Sequence, residues 1–231
     1  MNGRTWRKYA AECVGTFVLV LFGCGSSATA GGDLGNLGVA CAFGLSLIAM
    51  TYVIGPVSGC HVNPAVSLAM FLQGKLNGRD LGGYIGAQLS GGILASGLLY
   101  AIIESTGKAV TDLGQNGYGP GYGIGITASM AIIVEIVLTF VFVYTLLGVT
   151  ATEATAKLAG VVIGLTLAFV HILGIGLTGT SVNPARSLGP ALWLGGEAFH
   201  ELWVFMLAPL IGSVVAVWVF RRLYTSRGNK R

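Results

Sequence analysis

Two nine-residue stretches decide how this chain is read: Ser58-Gly59-Cys60-His61-Val62-Asn63-Pro64-Ala65-Val66 and Thr178-Gly179-Thr180-Ser181-Val182-Asn183-Pro184-Ala185-Arg186. Proline is preorganised for the first turn of a helix, where its missing N–H would have no partner anyway. Asn63 and Asn183 then fall at the N-cap, a position that favours a side-chain acceptor. Short apolar runs follow, about 64–71 and 184–194. Ten residues rise only about 15 Å, too little to cross a hydrocarbon core of about 30 Å. They read as re-entrant half-helices.

The two stretches belong to a duplication. Gly44-Leu45-Ser46-Leu47 matches Gly164-Leu165-Thr166-Leu167, and Ser67-Leu68 matches Ser187-Leu188, all 120 residues apart like the Asn-Pro-Ala motifs. Tyr84, Ala87, Leu89 and Gly91 match Phe205, Ala208, Leu210 and Gly212 at 121; Glu12, Thr16 and Phe17 match Glu135, Thr139 and Phe140 at 123. Apolar runs long enough to span a bilayer lie at about 9–29, 37–54, 81–103, 128–150, 158–177 and 202–223. With three spans per half, the second copy must enter the membrane upside down. The expected fold is an all-α membrane protein of six transmembrane helices and two re-entrant half-helices. It forms one channel domain over 1–231, built from an inverted repeat of 1–111 and 127–231.

Composition agrees. Hydrophobic residues make up 54% of the chain and charged residues 10%, against roughly 25% charged in soluble domains. Eleven of the thirteen basic residues (Arg4, Arg7, Lys8, Lys75, Arg79, Lys157, Arg221, Arg222, Arg227, Lys230 and Arg231) fall on one side of the six-span topology, leaving Lys108 and Arg186 for the other. Basic loops stay cytoplasmic, which puts both termini there. The net charge of +4 thus reads as topology, with contact to anionic lipid, and not as nucleic-acid binding, since no basic domain exists. The charged start and an Ala28-Thr29-Ala30 site resemble a signal peptide, but the first span has a repeat partner in the fourth and belongs to the fold. Cys13, Cys24, Cys41 and Cys60 show no metal spacing. The first three read as buried free thiols, and no metal or cofactor is expected.

Inversion brings the two half-helix N-termini together from opposite sides. Each carries about half a positive charge, and two Asn amides face one gap. The Gly-containing strips before them, Gly59-Cys60-His61 and Gly179-Thr180-Ser181, are irregular backbone, tolerated at membrane depth where it lines a cavity or packs in protein. Their carbonyls would supply acceptors on each side of a donor-rich centre, an arrangement suited to a file of small neutral polar molecules.

Paired Asn-Pro-Ala motifs, six spans and a Glu-to-Thr-Phe signature at the head of each half resemble the aquaporin (major intrinsic protein) family over nearly the whole chain. The resemblance implies a passive water channel in the cell membrane, with water as permeant and a homotetramer in the bilayer. It also implies an outer constriction of Phe43, His171, Thr180 and Arg186. Glycerol facilitators carry a small residue at the position of His171 and Asp after the motif Arg; this chain has His171 and Ser187, like the water-selective bacterial or archaeal type. Taken alone, His171 also fits an ordinary core histidine, and Arg186 a side chain snorkelling to the surface. Glu12 and Glu135 read either as structural acids that accept from the strip amides or as the proton relay of a transporter. Cys60 departs from the second Gly common in this strip and is expected to confer mercurial sensitivity. Cys60 beside His61 also has the residue types of an enzyme's nucleophile and base, but no orienting acid follows. The competing readings are an aquaglyceroporin and an inverted-repeat secondary transporter. The Gly- and Tyr-rich segment 114–125 reads as a plain connector.

Overall fold

The computed structural model describes residues 5–225. Of the basic residues used to orient the chain, Arg4, Arg227, Lys230 and Arg231 lie outside them. Among the described residues the chain is helical without strands: α1 (Thr5–Ser58), α2 (Pro64–Leu72), α3 (Gly78–Glu104), α4 (Ala128–Val149), α5 (Glu153–Ala156), α6 (Ala159–Thr178), α7 (Pro184–Leu194) and α8 (Gly196–Thr225).

At 54 residues, α1 would extend about 81 Å if straight, more than two bilayer cores. It is broken at Gly35, where φ is 61° and ψ 176°, a conformation open to glycine without a Cβ penalty. The two arms fold back on each other. A Cβ on Gly23 would stand 2.3 Å from the Phe43 ring, and one on Gly15 would stand 2.4 Å from Ile54. Both pairs centre on the same turn, so α1 makes two antiparallel crossings. Five helices are long and apolar enough to span; with α1 doubled they make six crossings. The continuous first segment and the four-residue α5 differ from the sequence expectation, and α8 begins six residues earlier than its apolar run.

The polarity of the molecule is inverted relative to a soluble protein. Phe22, Leu45, Val53, Leu165 and Phe169 are exposed on the outside, whereas Glu12, Gln88, Glu135, His171 and Arg186 are buried. Polar groups withdrawn from lipid must find partners inside the bundle. Cys24 and Cys60 are buried and Cys13 is partly so, but Cys41 is exposed. The expectation of a buried thiol fails there because the apolar surroundings of Cys41 are the outward face and not the core.

Close helix contacts repeat between the halves. Gly91 of α3 lies against the Cys13 carbonyl of α1, and Gly212 of α8 against the Ile136 carbonyl of α4. Gly44 and Gly164 meet each other, and a Cβ on either would stand 2.6 Å from the other's carbonyl oxygen. Small residues allow such backbone approach in membrane bundles. Gly44→Val is expected to force α1 from α6 and lower stability by roughly 1–3 kcal/mol. Thermal unfolding in detergent checks this, and an unchanged midpoint would contradict the packing.

At the end where α8 finishes, Arg221 donates to the Leu72 carbonyl of α2. At the start of α3, Asp80 accepts from Tyr9 (3.0 Å) and Asn77 (3.0 Å) and pairs with Lys8 (3.5 Å). These contacts tie the α1–α3 end together.

Candidate functional site

Asn63 and Asn183 cap α2 and α7. The Asn63 Oδ1 accepts from the Ala65 amide at 2.8 Å, and the Asn183 Oδ1 from Ala185 at 3.0 Å and Arg186 at 3.3 Å. Each cap also reaches across to the other repeat. The Asn63 Nδ2 donates to the Val182 carbonyl and the Asn183 Nδ2 to the Val62 carbonyl, both at 2.8 Å. The two half-helices therefore meet N-terminus to N-terminus. A primary amide carries two N–H groups, so each Asn keeps one for the cavity that both residues line.

The strips before the caps are held in a costly backbone shape. Cys60, Val62, Thr180 and Val182 have φ of 52°, 43°, 51° and 47°, the left-handed region that costs a non-glycine residue roughly 1–3 kcal/mol. Buried carboxyls hold them there. Glu12 accepts from Ser58 Oγ (2.6 Å), the His61 amide (2.9 Å), the Val62 amide (2.6 Å) and Gln88 Nε2 (2.7 Å). Glu135 accepts from Thr178 Oγ1 (2.7 Å), the Ser181 amide (2.8 Å) and the Val182 amide (2.9 Å). Three donors of each set correspond at the 120-residue offset. Gln88 is extra, and the equivalent place in α8 is held by Pro209, which has no side-chain donor.

At the Arg186 end three side chains converge. Phe43 and His171 stack with ring centroids 4.2 Å apart, and the Arg186 guanidinium carbon lies 5.1 Å from the Phe43 centroid. His171 Nδ1 stands 2.8 Å from the Leu167 carbonyl. A carbonyl only accepts, so Nδ1 carries the hydrogen, and in the neutral ring Nε2 offers a lone pair. His171 Nε2, Arg186 Nε and Thr180 Oγ1 are buried without a protein partner. Phe43, His171 and Arg186 line the same cavity as the two Asn caps, together with apolar Leu19, Leu47, Phe142 and Leu167. Thr180 is not among its lining residues. Its hydroxyl is turned toward Gly174, where a Cβ would stand 2.3 Å away.

Segment 114–125 is not a plain connector, which corrects the reading from sequence. It folds inward over Arg186. The Arg186 Nη1 donates to the Gly114 carbonyl (2.7 Å) and Asn116 Oδ1 (2.9 Å), and Nη2 to the Gly179 carbonyl (3.0 Å). Arg186 is 3% exposed, so it does not snorkel. Gly179 sits at φ 74° with the Tyr122 hydroxyl where a Cβ would be. Burial raises the Tyr122 phenol above its usual pKa, and it donates to the Gln115 carbonyl at 2.6 Å.

Past the Asn pair a second cavity continues toward the end where α8 finishes. Gly59, Cys60 and His61 line it with Thr51, Met70 and Thr150, and His61, Leu47 and Phe142 are shared with the first. Of the second strip, Ser181 lines the Arg186-side cavity; Gly179 lends its carbonyl to Arg186 instead. Sequence reasoning missed the apolar wall (Leu19, Leu47, Phe142, Leu167), Gln88 and Asn116. The wall residues look like any other membrane-helix leucine or phenylalanine, and neither polar residue has a motif or repeat partner. Because Cys60 lines this cavity, osmotic water flux is expected to fall with a mercurial in the wild-type protein and to stay unaffected in Cys60→Ser. Equal inhibition of both would place the reactive thiol elsewhere.

Residues 2–220 match the major intrinsic protein family. The chain is 43% identical to Aquaporin Z of Rhodopseudomonas palustris over 224 residues, covering 94% of this chain and 92% of that one. It is 43% identical to Aquaporin Z of Bradyrhizobium diazoefficiens over 223 residues, covering 94% and 93%. Among solved structures it is similar to the aquaglyceroporin from Plasmodium falciparum, with a TM-score of 0.84 at 25% identity, covering 96% of this chain and 98% of that one. With the doubled half-helix motif, the inverted repeat and a match along nearly its whole length, the chain belongs to the major intrinsic protein family.

Proposed function

We propose that the protein is a passive, water-selective channel driven by the osmotic gradient. The observation that carries this is the cavity running from Arg186 past both Asn caps. Its Arg186 end is crowded by two stacked rings and a guanidinium, with buried polar atoms that protein groups do not satisfy. A buried polar group left unpaired costs about 1–3 kcal/mol, so this end favours a small guest able both to donate and to accept. His171 Nε2 accepts from it and Arg186 Nε donates to it. Beside the stacked rings of Phe43 and His171 a carbon backbone has little room.

Ion and proton exclusion follow from the centre. Two helix N-termini and the buried Arg186 repel cations. A water molecule receiving the spare N–H of both Asn63 and Asn183 uses its oxygen as a double acceptor. Its own hydrogens then point away along the pore in opposite directions, which interrupts a one-way chain of proton transfer. Glu12 and Glu135 act as structural acids, since both are occupied by strip donors. The pore backbone on the Cys60 side comes from Gly59, Cys60 and His61, and on the Arg186 side from Ser181; Gly179 and Thr180 shape the constriction from behind.

The functional unit is a homotetramer in the cell membrane with both termini cytoplasmic, supported by the basic-residue asymmetry and by exposed apolar faces on α1 and α6. Stopped-flow shrinkage of proteoliposomes tests the function, with glycerol uptake and proton flux measured in parallel. Fast water flux with background glycerol and proton flux is expected. Fast glycerol uptake would favour an aquaglyceroporin, and water flux that needed an ion gradient would favour a transporter.

A further inference from the structure

We infer that Asn116 is a positioning residue of the constriction, which holds the Arg186 guanidinium in place while leaving its positive charge uncompensated; this rests on the water-channel reading of the same site. Asn116 is 4% exposed and comes from the segment that joins the two repeats, 70 residues before Arg186. Both the oxygen and the nitrogen of its amide are engaged. Oδ1 accepts from Arg186 Nη1 at 2.9 Å and from Ser187 Oγ at 2.8 Å, and Nδ2 donates to the Thr178 carbonyl at 3.0 Å. The amide cannot be turned over, because the guanidinium only donates and the carbonyl only accepts.

A carboxylate of nearly the same shape would be the stronger partner for a guanidinium. It would also cancel the charge and take from the Thr178 carbonyl one of its two donors, leaving only the Gly117 amide at 3.2 Å. The neutral amide does neither. All three acceptors that hold Arg186 (the carbonyls of Gly114 and Gly179, and Asn116 Oδ1) are uncharged. The ionisable groups within electrostatic reach of this region are Cys24 on α1, Glu135 on α4, His171 on α6, and Asp112 and Tyr122 on the segment that carries Asn116. The two carboxyls among them are engaged elsewhere: Glu135 by the second strip, and Asp112 by the Gly114 amide at 2.7 Å. Asn116 thus orients the filter cation without neutralising it, and it couples Arg186 and Ser187 to the end of α6.

The test compares Asn116→Asp and Asn116→Ala with the wild type in proteoliposomes, reading sodium leak and glycerol uptake per unit of water flux. In Asn116→Asp the sodium leak is expected to rise about tenfold or more at neutral and alkaline external pH, because a contact counter-charge removes the local positive potential. Acidification should return it to the wild-type level, since the protonated carboxyl again presents one acceptor and one donor. Asn116→Ala adds no charge, so glycerol uptake should rise several-fold without a pH-dependent sodium leak, as expected of a loosened guanidinium. A leak in Asn116→Asp that stays at wild-type level, or that rises without pH dependence, overturns the inference. So does an unchanged glycerol-to-water ratio in Asn116→Ala. Water flux of the wild-type protein in the same vesicles tests the channel reading separately.

Discussion

Glycerol uptake per unit of water flux is expected to rise by about an order of magnitude or more when His171→Gly is combined with Arg186→Val, which requires only about 1.4 kcal/mol off the barrier. The imidazole deleted is the ring that stacks 4.2 Å from Phe43, and the guanidinium deleted lies 5.1 Å from the same ring. Phe43 would be left to bound the constriction alone. The single variants separate width from charge. His171→Gly opens space but keeps Arg186, so glycerol uptake should rise while sodium stays excluded. Arg186→Val also strips the carbonyls of Gly114 and Gly179 and the Asn116 Oδ1 of their cationic donor, so exclusion of sodium should weaken as well. The measurement is parallel glycerol, sodium and water flux in proteoliposomes. A double variant with normal water flux and an unchanged glycerol ratio would remove Phe43, His171 and Arg186 from the selectivity step.

The second large effect concerns the acids. Glu12→Gln is expected to damage the channel more than Glu135→Gln. Four donors converge on Glu12, two on each carboxyl oxygen. An amide fits best with its N–H₂ toward Ser58 and His61, where the Ser58 hydroxyl must reverse to accept and the buried His61 N–H is left facing a donor, at roughly 1–3 kcal/mol for that group. Against a total stability of about 5–15 kcal/mol, that threatens folding. In Glu135 one oxygen receives only the Val182 amide, so Gln can place its N–H₂ there and lose a single bond, with the Thr178 hydroxyl still donating as before. Thermal unfolding in detergent and water flux per folded channel should both rank wild type above Glu135→Gln above Glu12→Gln. Equal behaviour of the two variants would mean that Gln88 adds nothing to the first anchor.

The symmetry of these anchors is partly visible in the sequence. Glu12 and Glu135 stand out because an acid in an apolar span is costly and each recurs at the head of its half. Gln88 does not, because its repeat partner is Pro209 and a lone glutamine in a helix has many uses. The place of Thr180 in the motif puts it at the constriction, yet its hydroxyl is turned to Gly174. The left-handed turn at residues 179 and 180 sets that direction, and side-chain direction is not a property of spacing.

The inverted repeat, the re-entrant half-helices, the six crossings and the meeting of Asn63 with Asn183 are legible along the chain. These follow from hydrophobic length, helix-start chemistry and a duplication at near-constant offset, all properties of the chain read along one dimension. The fold of segment 114–125 over Arg186, the grip of the neutral Asn116 amide and the stacking of Phe43 on His171 arise in three dimensions. Arg186 meets Gly114 and Asn116 across 72 and 70 residues. Buried donors and acceptors are satisfied by whatever group the folded backbone brings within hydrogen-bond reach, a choice that no local pattern encodes.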